Sequence, residues 1–184
     1  MTRIRSLKPN VTREQAIRQF SPRGPTAVFR NVAFGRLRSV ADLYIPFRLF
    51  RVQITNRGAT EERLVALDAV SGTLDLYQFD HPPTDAETIW LETRNHPLPE
   101  LPDAVAVERV VAKLRRVLYS RGFFKMRGLQ ITAVPLRDDL HIPYWLGLRG
   151  TNGRARVSVI DAVRRSLEGA KVRRLVETWL AASG

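Results

Sequence analysis

The sequence predicts an α+β fold of two related helix-plus-antiparallel-sheet units, side by side or sharing one sheet, and three observations lead there. Asp42-Leu43-Tyr44-Ile45-Pro46-Phe47-Arg48-Leu49 returns as Asp139-Leu140-His141-Ile142-Pro143-Tyr144-Trp145-Leu146. Asp68-Ala69-Val70 returns downstream as Asp161-Ala162-Val163. A capped helical pattern precedes each copy of the first block, and a sheet covered on one face by its own helix buries both apolar surfaces. The reading divides the chain into a basic leader (1–11), a first unit (12–80), a Pro-rich acidic linker (81–102) and a second unit with a C-terminal helix (103–184).

In order along the chain, residues 1–11 read as a loose, basic leader. Thr12-Arg13-Glu14-Gln15 has the form of a capping box, so a helix runs to Phe20, where Pro22, Gly24 and Pro25 stop it. Residues 26–34 are apolar and β-prone enough for a strand. In the organising stretch the apolar residues change parity, from Leu43, Ile45, Phe47 and Leu49 to Phe50, Val52 and Ile54. Strand side chains alternate faces, so the change predicts a bulge near Leu49. Residues 55–61 turn the chain and 63–67 return it. Asp68 to Gly72 forms a tight turn in which the carboxylate accepts backbone N–H groups and Gly72 takes positive φ, and 73–79 make the third strand.

The linker carries Pro82, Pro83, Pro97, Pro99 and Pro102, with Ile89, Trp90 and Leu91 as an apolar anchor. Asp103 then caps the longest helix, to about Ser120, with Val107, Val110, Val111, Leu114, Val117 and Leu118 as its stripe and Arg109, Lys113 and Arg116 pointing away. Residues 129–136 pair with the second copy of the organising stretch. Asn152-Gly153 forms a hairpin tip, 154–160 return, and Val172, Leu175, Val176, Trp179 and Leu180 mark a terminal helix.

Composition limits the function. The 184-residue chain has no cysteine, which excludes disulfides, thiolate zinc sites and iron–sulfur clusters. No run reaches the roughly 18 apolar residues of a membrane span and no signal peptide opens the chain, so a cytoplasmic protein is expected. The net charge of +12 is uneven: residues 1–60 hold 12 Lys/Arg against 2 Asp/Glu, 61–100 hold 2 against 9, and 101–184 hold 16 against 7. All but four of the 30 basic residues are arginine, whose planar fork suits phosphate and carboxylate.

The helix from Glu14-Gln15-Ala16-Ile17, followed by strand and then Leu64-Val65-Ala66-Leu67-Asp68-Ala69-Val70-Ser71-Gly72-Thr73-Leu74, resembles PepSY-type domains. The second unit departs from that pattern, with Arg164-Arg165 where the turn glycine belongs. The resemblance implies a helix-on-sheet module that binds or regulates a protein partner without catalysis.

No phosphate-binding glycine loop, nucleophile elbow or dinucleotide fingerprint is present, and no enzyme, cofactor or metal is expected. His81, His96 and His141 are scattered. Asp42 with Asp139, and Asp68 with Asp161, would form acid–base pairs only if the repeats brought them together; turn duty is the simpler role. Arg121-Gly122-Phe123-Phe124-Lys125-Met126-Arg127 starts like an RNA-recognition motif and then diverges. The functions carried forward are a tandem-repeat module for a protein partner and, as the alternative, a nucleic-acid or polyanion surface built from Arg109, Lys113, Arg116, Arg121, Lys125 and Arg127.

Overall fold

A computed structural model of the chain describes residues 1–21, 36–120, 128–151 and 154–183. The fold is α+β, and its residues gather into two compact units that are not consecutive blocks of chain. The first combines Met1–Ile45, Ile89–Pro97 and His141–Gly184; the second combines Pro46–Thr88 and Leu98–Leu140. The expected strand at 26–34 and the tip residues Asn152 and Gly153 lie outside the described residues.

The first unit starts at β1 (Thr2–Leu7), which replaces the expected loose leader. Ile4, Ser6 and Leu7 are buried there, and Ser6 lies opposite His141 in a parallel pairing with β6 (Gln130–Thr151). Apolar Ile4 and Leu7 between the basic residues are what turn a charged leader into a strand. Helix α1 (Arg13–Phe20) has the full capping box, Gln15 N to Thr12 Oγ1 at 3.3 Å and Thr12 N to Gln15 Oε1 at 2.9 Å. From Tyr144 to Thr151, β6 pairs antiparallel with β7 (Arg154–Asp161). Val11, Ala16 and Phe20 pack with Val40, Ile160, Ala162 and Trp145. Phe20 lies so close to the sheet that a Cβ on Gly147 would fall 2.8 Å from its ring. Buried Arg149 donates to the Phe20 carbonyl, satisfying a helix C-terminal acceptor with a cation. Helix α3 (Ala170–Ser183) buries Val172, Leu175 and Val176 against β7.

The second unit is built on the hairpin of β2 (Leu37–Asn56) and β3 (Ala59–Asp68), whose register is unbroken from Phe47↔Asp68 to Asn56↔Ala59. No bulge interrupts it. The parity change arises because Leu43 to Leu49 are buried on one face and Phe50, Val52 and Ile54 on the other. Arg57 and Gly58, with φ of 53° and 82°, make the two-residue turn. The third strand shrinks to β4 (Tyr77–Phe79). Helix α2 (Asp103–Ser120) buries Ala106, Val110, Leu114 and Leu118 against Phe50, Val52, Ile54, Val65 and Leu67. That stripe advances strictly by four residues, leaving Val117 at the surface where the expected stripe included it. Residues 129–136 are not a separate strand: β6 is continuous over 22 residues. Within the expected linker, residues 88–93 form β5 (Thr88–Thr93) beside β1.

The two hairpins close alike. Ala69 N donates to Pro46 O (2.8 Å) and Ala162 N to Pro143 O (3.0 Å); Gly72 N donates to Asp68 O (3.2 Å) and Arg165 N to Asp161 O (2.9 Å). Gly72 has φ of 63° and Arg165 of 60°, so the arginine adopts the conformation of the turn glycine. The carbonyl of each central alanine receives the chain ahead of a helix: Ala69 O accepts from Leu101 N, and Ala162 O from Asn10 N. Each helix was expected to cover its own hairpin. Instead α1, from the first half of the chain, packs on β7, and α2, from the second half, packs on β2 and β3. Those alanine carbonyls tie each helix start to the hairpin from the other half, where the apolar face of the helix is buried.

A non-glycine residue in the left-handed region costs about 1–2 kcal/mol, and glycine gives back about 0.5–1 in chain freedom. Arg165→Gly should therefore raise the unfolding free energy by about 0.5–1 kcal/mol. Gly72→Ala should lower it by at least about 2 kcal/mol, since positive φ is compounded by a Cβ 2.7 Å from Arg109 Cδ. Urea unfolding of both variants checks the pair.

Candidate functional site

Asp68 and Asp161 are fully buried, and their carboxylates are used by their own turns. Asp68 Oδ1 accepts from Ser71 N (2.7 Å), Ser71 Oγ (3.0 Å) and Gly72 N (2.8 Å), while Oδ2 accepts from Leu74 N (2.8 Å). Asp161 Oδ1 accepts from Val163 N and Arg164 N, both at 2.8 Å. A buried carboxylate surrounded by backbone donors holds a loop in shape. Asp42 takes Asn95 Nδ2 at 2.9 Å. Beside it, burial pushes the Tyr44 phenol up to about 12, and the Asp42 charge and hydrogen bond add to the effect.

Two of the three histidines come together and the third stands apart. His81 lies 3.8 Å from Glu87 on the surface of the second unit. In the first unit the His96 and His141 rings meet edge to face at 5.7 Å, and His141 Nδ1 contacts Arg5 O at 3.2 Å. Among the described residues no three His, Asp or Glu side chains gather in a way that could hold a metal ion.

The basic residues singled out in the sequence divide into three groups. Arg109 donates to Ser71 O, and Lys113 to Thr73 O (3.1 Å) and Leu74 O (2.7 Å), so both fasten α2 to the loop after Asp68 instead of projecting from the helix. Arg116 is exposed. Arg121, Lys125 and Arg127 lie outside the described residues. The turn glycine makes this fastening fit, because Arg109 passes over Gly72, where a side chain would stand.

The interleaving of the chain redistributes the charge. The residues of the first unit hold 18 Lys/Arg against 6 Asp/Glu, a balance of +12; those of the second hold 12 against 12, a balance of zero. The protein's whole net charge therefore belongs to the first unit. Arg36, Arg38, Arg165, Arg173 and Arg174 are exposed on it. The acidic middle, which in sequence separates two basic blocks, largely neutralises the arginines of α2 and its neighbours.

The first unit also displays an aromatic ring. In β5, Ile89 and Leu91 are partly buried, as an anchor should be, but Trp90 is 60% exposed. The Arg3 guanidinium carbon stands 5.1 Å from the centre of the Trp90 ring. The strand alternation that turns Trp90 outward was hidden by the prolines around it, which read as linker.

No protein-family model, curated protein or solved structure matches this chain. No described helix is long and apolar enough to cross a membrane.

Asp68→Ala would strand the buried Leu74 N–H and the part-buried Ser71 N–H and leave Gly72 N only its 3.2 Å bond to the backbone carbonyl of residue 68, and a loss of about 3 kcal/mol in urea unfolding is expected. The phenol of Tyr44 gives a second, pH-resolved outcome. Its folded pKa of about 12 lies above the ordinary value of 10, so between those values the folded chain retains a proton that the unfolded chain has lost. In urea unfolding, stability should fall as pH rises through that window, by less than the full shift implies because water screens the half-exposed phenol, and Tyr44→Phe should lessen the slope. Spectrophotometric titration of the wild type and Tyr44→Phe should show the variant losing one late-ionising tyrosine.

Proposed function

We propose that this chain is a non-catalytic nucleic-acid-binding module whose first unit grips the phosphate backbone. The observation that carries the reading is the partition of charge, +12 on one compact unit and zero on the other. A uniform excess of arginine would be spread over both; concentration on one body builds a potential that attracts a polyanion and raises its encounter rate. Arginine rather than lysine favours bidentate contact with phosphate oxygens. The surface differs from the one expected along α2, whose Arg109 and Lys113 are engaged with the loop at residues 71–74. A cytoplasmic setting, the expectation from the sequence, would place the protein among nucleic acids.

A second reading, a tandem module that binds or regulates a protein partner, has its own support in the two hairpins closed by equivalent hydrogen bonds. The PepSY-like run through Asp68 and Gly72 belongs to that reading. It differs from the first in salt response.

For nuclease-treated protein, affinity for mixed RNA and DNA should fall linearly on a log–log plot against salt, each phosphate contact adding about 0.7–0.9 to the slope. Arg173→Glu with Arg174→Glu should reduce both affinity and slope, the slope by about 1.4–1.8. Arg115→Glu with Arg116→Glu, exposed on the neutral unit, should change neither by as much. Negligible binding at low salt, or equal loss in both double variants, would remove this function.

A further inference from the structure

We infer that Trp90, backed by Arg3, is a stacking platform for an unpaired nucleobase, which makes the first unit a reader of single-stranded rather than duplex nucleic acid. This rests on the nucleic-acid reading above and adds the strand state of the ligand.

A tryptophan 60% exposed is unusual for the largest apolar side chain, which buries most of its surface when the fold alone decides. Nothing in the packing of β5 requires an indole there, because Ile89 and Leu91 supply the half-buried side of the strand. A cation lies against the ring: Arg3 from β1 stands 5.1 Å from its centroid, within the range of a cation–π contact. A guanidinium over one part of the indole holds its plane and leaves the exposed remainder for a second flat group. Strand β5 stands last in its sheet order, with β1 as its neighbour, so this ring sits at a sheet margin that a nucleic-acid strand can approach.

The choice of ligand follows from two features found together. Bases in a duplex have their faces covered by their neighbours, so an isolated indole can stack only on a base that is unpaired or at an end. The +12 balance of the same unit supplies the attraction for phosphate that an aromatic ring lacks. Glu92, exposed two residues beyond Trp90 and therefore on the same side of the strand, repels phosphate and leaves the Arg3 side for the backbone.

The test compares a short thymidine oligonucleotide, a blunt duplex of equal length and heparin, a polyanion without bases, by fluorescence anisotropy or competition. Trp90→Ala should weaken oligonucleotide binding about tenfold or more, with Trp90→Phe retaining most of the affinity. Duplex and heparin binding should be unchanged by either substitution, and an unchanged urea unfolding midpoint shows that the variants remain folded. Wild-type tryptophan fluorescence should be quenched by the oligonucleotide and not by heparin. The platform is overturned if Trp90→Ala leaves oligonucleotide affinity unchanged, or weakens heparin to the same degree. Salt-sensitive duplex binding with Trp90 silent would sink the platform and keep the basic unit as a nucleic-acid surface. Absence of all binding would remove both.

Discussion

The structure depends on a buried carboxylate at the end of each hairpin. Asp68 and Asp161 bend the chain by accepting the backbone N–H groups of the turn that follows each of them. The bend presents a free carbonyl, that of Ala69 or Ala162, to the segment entering a helix. Turn, helix start and hairpin are thus joined by backbone hydrogen bonds, which tolerate much change in side chains. This is why one turn works with Gly72 and the other with Arg165 at the same left-handed φ. Where Arg109 crosses the turn, only the smaller residue fits.

From these joints comes the interleaving. Helices α1 and α2 each cover a hairpin from the other half of the sequence, so composition read in linear blocks misrepresents the bodies that form. The blocks of +10, −7 and +9 along the chain become +12 and zero in space. The change is electrostatic as well as topological: a polyanion meets one strongly basic body and one neutral body, and the neutral one places Glu61 and Glu62 beside Arg63 and Arg51.

Much of the local structure was legible. The capping box at Thr12, the Asp68 turn with its positive-φ glycine and the strand nature of both copies of the organising stretch were all visible in residue types with a direct physical role. What escaped were features decided by contacts far apart in sequence. Residues 2–7 look like a charged tail until β6 provides an edge for them. The apparent bulge at Leu49 was a strand covered on different faces along its length, which parity alone cannot separate from an inserted residue. Trp90 read as an anchor because an apolar triplet between prolines gives no sign of which member faces water. Arg109 and Lys113 looked solvated on the helix wheel because their partners are carbonyls of a loop about forty residues earlier.

The crossed pairing of helix and hairpin also governs how the chain is made. The β2–β3 hairpin is complete once Asp68 has been synthesised, yet the leucines and valines of α2 that cover it end only at Leu118. At a synthesis rate of about 5–20 residues per second, the apolar face of that hairpin waits uncovered for several seconds. During that interval the nascent chain offers an open sheet surface, and a chaperone at the ribosome exit would meet it there before the protein's own second half does.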